Sequence, residues 1–206
     1  MAERLNLREW FGGIDIYLFD QLLKGRFDES ATILDAGCGD GRNLVYFMRS
    51  GFEVFAIDGD ERVVGSVRAM AARIAPRLPA GNFRVADVGE IPFEDLRFDV
   101  VISTAVLHFA ADKDHFDRML DSMWRVLKNN GVLFARLAST IGMEDRVQHI
   151  GGRRYRLPDG SERFLVDEPM LRRHAKRLGA DLLEPIKTTN VHDKRCMTTW
   201  CLRKTG

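Results

Sequence analysis

The chain has few features that would hold it together from outside its own core. Its three cysteines, Cys38, Cys196 and Cys201, are scattered. They form neither a zinc-ligand spacing nor a paired framework, so no metal site and no disulfide scaffold is expected, and a reducing cytoplasm is the expected setting. Net charge is only +1, which gives no overall field to draw the protein to nucleic acid or to a membrane surface. No apolar run is long enough to span a bilayer. The start, Met1 to Arg8, mixes Glu3, Arg4 and Arg8 with apolar residues and has no apolar h-region, so no signal peptide is expected. Internal repeats and low-complexity segments are also missing. What remains is 206 residues, 45% hydrophobic, which suits one globular domain with a full core.

That core is organised around Ile33-Leu34-Asp35-Ala36-Gly37-Cys38-Gly39-Asp40-Gly41-Arg42-Asn43. An apolar run ends in an acid, a glycine-rich turn follows, and a helical pattern starts at Arg42. A strand, a tight loop and a helix start are how open α/β sheets present a nucleotide site. The glycines fall in G-x-G-x-G spacing, whereas a dinucleotide loop reads G-x-G-x-x-G. Asp35 at the mouth would repel a phosphate but accept an ammonium group. The pattern therefore favours a ligand with an amino acid at one end and a nucleoside at the other.

Phe52 to Ile57 reads as the next strand and ends at Asp58-Gly59. An acid about 20 residues beyond the glycine loop, at a strand end, suits both ribose hydroxyls. Val63 to Ile74 carries a helical 3-and-4 pattern, closed by Pro76. A short strand over 82–86 leads to Asp87-Val88, and a buried strand over 98–103 leads to Ser103-Thr104 and His108. His108 is either a substrate contact or base, or a packed core histidine. Phe116 to Leu127 gives the clearest amphipathic helix, Asn129-Asn130-Gly131 a turn, and Val132 to Ala138 a fifth strand. Strands alternating with helices predict a parallel, doubly wound sheet.

The flanks are less regular. Ile14, Tyr17, Leu18 and Leu22 recur at helical spacing, so residues 1–30 form either a helix covering a sheet edge or a lid, with Trp10, Phe11 or Tyr17 closing over ligand. From 139 to 168 periodicity fails, and Arg153 to Arg156 pairs with Glu162 to Val166 as a hairpin around Asp159-Gly160. Arg154 and its neighbours are either an exposed basic hairpin or a clamp for an anionic substrate. A helix starts at Asp167-Pro169, and 181–184 and 195–203 read as two last strands forming a closing hairpin.

Leu34 to Gly41, then Asp58, Asp87, Phe98 to Ser103 and Leu127 to Gly131, resemble the class I S-adenosylmethionine (SAM) dependent methyltransferases along nearly the whole chain. Gly41-Arg42-Asn43, Ser103 to Phe109 and the basic carboxyl end resemble more closely the tellurite-resistance methyltransferases of bacteria. The resemblance implies a Rossmann-like, three-layer α/β/α fold with a seven-stranded, mostly parallel sheet and an antiparallel C-terminal strand. It implies SAM as cofactor, held by Asp35, Gly37, Gly39, Asn43, Asp58, Gly59, Asp87, Val88, Ser103 and Thr104, with Tyr17 from the lid. It places residues 139–168 over the substrate side. For the methyl acceptor it points to a small molecule near Arg42, Arg154 and Arg195, with His108 or His192 as base. The partners expected are that substrate alone, with no nucleic acid and no membrane, in a monomer or homodimer. A SAM-binding protein without catalysis and an NAD-dependent oxidoreductase stand as the alternatives.

Overall fold

The computed structural model describes residues 6–206; the first five residues of the expected lid lie outside that range. The central sheet is built from β1 (Thr32–Ala36), β2 (Glu53–Asp58), β3 (Phe83–Val85), β4 (Phe98–Thr104), β5 (Leu127–Ser139), β9 (Ala180–Leu182), β10 (Lys187–Val191) and β11 (Arg195–Lys204). Its order is β10-β11-β5-β4-β1-β2-β3. The strands from β5 to β3 run parallel, and β11 enters antiparallel beside β5. Both β9 and β10 pair with β11, over its end and its beginning respectively. They are one edge position broken at Glu184-Pro185, where proline cannot donate to a ladder. Eight strands thus fill seven positions, as the resemblance implies.

The strand period of two sorts the core. Leu34, Phe55, Val101 and Leu133 pack on one face, under α5 (Lys113–Val126) and α6 (Glu168–Arg177). Ile33, Val54, Val100 and Phe134 pack on the other, under α2 (Ile16–Leu23), α3 (Val45–Arg49) and α4 (Glu61–Ile74). Both faces are covered, so these strands read as continuous apolar runs. Each fully buried Leu, Val or Phe contributes roughly 1.5–3 kcal/mol. Aspartates cap the helices: the side chains of Asp15, Asp60, Asp112 and Asp167 accept a first-turn N–H of α2, α4, α5 and α6.

Three expectations need correction, and one helix is added. The helix after the glycine loop begins at Val45, not Arg42, because residues 41–44 form a turn with Leu44 N donating to Gly41 O. Asn129-Asn130-Gly131 is not a separate turn but an irregularity inside β5, with Asn130 at φ 63° and a register shift against β4. A further helix not expected from the spacing, α1 (Leu7–Phe11), precedes α2, and its Phe11 stacks on Tyr46 at 5.1 Å. The closing hairpin joins β10, not 181–184, to β11.

The 153–166 hairpin is present as β7 (Arg154–Arg156) and β8 (Glu162–Phe164), with an unforeseen third strand, β6 (Gln148–Gly151), alongside. Among the described residues no helix is long and apolar enough to cross a membrane.

Candidate active site

Parallel strands all end on one side of the sheet, and the carboxyl ends of β1, β2 and β4 meet there. The chain leaves β1 through Gly37, whose N–H, with that of Cys38, donates to Ile57 O of β2 at 2.9 and 3.0 Å. This pins the loop against the neighbouring strand. Gly37 has φ 83°, and a Cβ there would collide with Val106. Gly39 has φ 52° with nothing within 4 Å of a built Cβ, so a side chain would fill open cleft instead. Its N–H donates to Asp58 Oδ2 at 2.9 Å, and Asp60 N–H donates to Asp58 Oδ1 at 3.0 Å. Asp58 is therefore oriented by backbone on both oxygens, each with a lone pair to spare.

A cavity of about 480 Å³ opens over this loop. Its walls include Gly37, Gly39, Asp58, Asp87, Val88 and Thr104. The Asp87 carboxylate accepts from Gly89 N–H at 2.6 Å, which fixes it at the rim. Behind the loop lies Asp35, 1% exposed, with both carboxylate oxygens lacking a hydrogen-bond partner among the described residues. Burial pushes its pKa up to about 7, against the pull of Arg42. Asp35 is not itself one of the chamber walls, but its unpaired buried carboxyl is close enough to Asp40 and Asp58 to feel their charges, and with Asp40, Asp58 and Asp87 on the rim this end of the site suits a cationic ligand.

A second cavity, of about 410 Å³, adjoins the first, and the two share Arg42, Thr104, Ala105 and Phe109 as walls. Ala105 sits at φ 62°, an uncommon conformation for a residue with a Cβ, as β4 leaves the sheet between the two chambers. The second chamber is basic. Arg136 reaches it from β5, Arg163 from β8 and Arg195 from β11. Arg136 is held by buried Asp15 at 2.5 Å and lies over the Tyr17 ring at 4.9 Å. Arg163 lies over Phe109 at 4.8 Å. His108 closes the inner wall, 6% exposed, its Nδ1 accepting from Ala138 N–H at 3.2 Å. Burial, with the Arg163 and Arg195 charges, pulls its pKa down to about 4. The ring is neutral at physiological pH and carries its proton on Nε2.

The family model described as a methyltransferase domain matches residues 34–135, which run from the glycine loop through β5. A malonyl-[acyl-carrier protein] O-methyltransferase of Pseudescherichia vulneris is 32% identical over 110 residues, 53% of this chain and 40% of that protein. The chain spans less than half the length of the curated relatives it matches. Over residues 34–135, nearly half of its length, the chain belongs to the class I SAM-dependent methyltransferases. Their cofactor, SAM, is its cofactor. Solved structures agree on the fold. A Pyrococcus horikoshii protein superposes with TM-score 0.73 at 18% identity, covering 97% of this chain and 96% of that one. The 1,6-didemethyltoxoflavin-N1-methyltransferase of Burkholderia thailandensis superposes at 0.69 and 20%, covering 95% and 80%.

Within this methyltransferase, the first chamber gathers Gly37, Gly39, Asn43, Asp58, Gly59, Asp87, Val88 and Thr104, all expected from the sequence. Asn43 is buried and ties three elements: its Oδ1 accepts from Asp15 N–H at 2.9 Å and its Nδ2 donates to Thr104 Oγ1 at 3.2 Å. Other expected residues stand apart. Tyr17 lines neither chamber; its hydroxyl pairs with Thr189 at 2.5 Å. Ser103 is buried outside both chambers, its hydroxyl without a hydrogen-bond partner among the described residues.

His192 is exposed at the β10–β11 turn with φ 52°, outside both chambers, so the geometry gives it no acceptor to serve. Arg154 turns to Ala110 O and Glu162 and lines neither chamber. Arg42 and Arg195 are at the second chamber as expected. Arg136, Arg163, Asp15 and Phe109 were not singled out. A lone arginine inside the apolar run Val132–Ala138 was the one visible signal for Arg136.

Proposed function

We propose that this protein transfers a methyl group from SAM to a small-molecule acceptor by in-line displacement. The observation that carries this reading is the pair of adjoining chambers, acidic and basic, with a common wall. SAM supplies an electrophilic methyl on a sulfonium. The acidic chamber suits a ligand that is cationic at one end and a nucleoside at the other. Asp35 offers an unpaired carboxyl for its ammonium, while Gly37 and Gly39 leave room for the amino-acid end. Asp58, oriented by two backbone N–H groups, offers lone pairs to ribose hydroxyls, and Asp87 with Val88 borders adenine.

The basic chamber then takes the acceptor. Arg42, Arg136, Arg163 and Arg195 orient it, and Phe109 and Thr104 at the common wall set its approach. Displacement of this kind gains chiefly from holding the reacting atoms at about 3–3.5 Å in a site closed to water. The whole chain acts as one catalytic unit, with the 139–168 segment supplying Arg163 to the acceptor side and the 1–30 segment locking Arg136 through Asp15. Three free, buried cysteines suit the reducing cytoplasm.

Calorimetric titration with S-adenosylhomocysteine (SAH) and, separately, NAD tests this. SAH is expected to bind wild type, with Asp58→Ala losing that affinity. Binding of NAD alone would overturn the reading.

A further inference from the structure

We infer that the methyl acceptor is a small carboxylate with an apolar body, methylated on its own oxygen with no general base. This rests on the methyltransferase reading of the site above and narrows it to a substrate class. Three observations converge on it. The first is charge. The acceptor chamber presents four guanidinium groups, those of Arg42, Arg136, Arg163 and Arg195, and one carboxylate, Asp159. Asp15 behind the wall pairs with Arg136 and approaches Arg42 at 3.9 Å. Among the described residues no carboxylate stands within ion-pair distance of Arg163 or Arg195 (every other ion pair of the region lies elsewhere). Two guanidiniums on separate strands, neither in a direct ion pair and with Asp159 as the one carboxylate lining the chamber they face, leave an excess of positive charge that calls for an anion.

The second observation is the absence of a usable base among the groups that line this chamber. A neutral hydroxyl, a thiol or an ammonium acceptor must lose a proton in the course of transfer. His108 cannot take it: Nδ1 is occupied by Ala138 N–H and Nε2 already holds a proton, so the ring can only donate. The Asp159 carboxylate accepts from Ser161 N–H and Oγ at 2.9 and 2.6 Å. These two hydrogen bonds from Ser161, helped by the nearby Arg195 and Arg163 charges, hold its pKa below the usual carboxylate range, which makes it a weak base. A carboxylate needs none of this help. One oxygen is held by guanidinium and by His108 Nε2–H, and the other forms the new bond. The C–O bond forms as the methyl–sulfur bond breaks, and that electron pair stays on sulfur. Sulfonium and carboxylate charges cancel, the products are a neutral ester and a thioether, and no proton is released.

The third observation is the remainder of the wall. Leu157, Ala138, Val191 and Met197 add apolar wall to the charged groups of the chamber. At about 410 Å³ it suits a small acid with a hydrocarbon or aromatic body.

The test uses the full chain saturated with SAH. Calorimetry would compare benzoate and hexanoate with benzamide, hexanamide and benzylamine. The acids are expected to bind at least about tenfold more tightly than their amides, the scale of one charge-assisted contact. Arg163→Gln and Arg195→Gln should each cut acid binding by about tenfold or more while SAH affinity stays within about twofold. Any acid that binds is then incubated with SAM; the product should be a base-labile methyl ester, formed without proton release in weakly buffered indicator solution.

SAH binding with no preference for the acids, tighter binding of the amine, or one proton released per methyl transferred would overturn the inference while leaving the methyltransferase reading intact. Failure of SAH itself to bind would remove that reading, and this inference with it.

Discussion

The two chambers share a wall but are built by different means. The acidic one is assembled from strand ends and the eight-residue loop 37–44, and its key groups are set by backbone: Asp58 by the N–H groups of Gly39 and Asp60, Asp87 by that of Gly89. The basic one draws single side chains from β5, β8 and β11, positioned by other side chains: Arg136 by Asp15, Arg163 by Phe109. Backbone-set geometry survives drift in the surrounding sequence, whereas side-chain-set geometry changes with each substitution. Such a molecule can keep one ligand and exchange the other.

Four experiments would break or sharpen this contrast. The largest effect is expected from Asp58→Ala, which removes the proposed ribose acceptors and releases Gly39 N–H; SAH affinity should fall about a hundredfold by calorimetry, the scale of two lost charge-assisted bonds. Equal loss from Arg195→Gln would mean that the chambers are not separable.

Next is Asp15→Ala, which strands Arg136 and uncaps α2. Breaking a buried pair costs about 3–5 kcal/mol; since Arg136 keeps some exposure, about 3 kcal/mol is expected, read as a lowered denaturant midpoint. A drop under about 1 kcal/mol would show that Arg136 is positioned by something else.

Third is the pH dependence set by Asp35. Its folded pKa, about 7, lies above the ordinary 3.8. Between those values the free folded protein binds a proton that the unfolded chain has lost, so this group's contribution to free-protein stability improves as pH falls from 7 toward 4. Pairing with an ammonium needs the ionised form, so SAH affinity should weaken by up to about tenfold per pH unit below 7. Asp35→Asn should bind SAH more weakly at pH 8 and lose this slope; an unchanged slope in the variant would move the dependence elsewhere.

The smallest effect is expected from salt. Raising ionic strength from 0.05 to 0.5 M should weaken benzoate binding about threefold and SAH binding much less, since the exposed Arg195 is screened more than buried Asp35. Equal sensitivity of the two ligands would contradict the contrast.

The same difference explains what could be read from the chain beforehand. The glycine loop, Asp58 and Asp87 are local: each follows an apolar run at its strand end, and periodicity alone places them on one side of the sheet. The helices α4 and α5 were legible for a similar reason, from the spacing of their apolar residues alone. Arg163 and Arg195 belong to strands of two different sheets, and nothing in their own neighbourhoods says that they converge. His192 and Arg154 carry the right chemistry close by in sequence, yet one sits on an exposed turn and the other turns toward Glu162. Asn129-Asn130-Gly131 has turn composition, but pairing with β4 absorbs it as a bulge because only one residue, Asn130, needs positive φ.

The broken strand at the sheet margin has a consequence for the behaviour of many copies together. An exposed strand edge is a row of unsatisfied amides on which another chain can add, the first step toward fibrous assembly. Here one margin is β3, three residues long, and the other is interrupted at Pro185 before Lys187. Lys187 sits at the start of that second segment and pairs with Asp20 and Glu184. Neither margin offers a long template, so the sheet carries its own guard against growth at its ends.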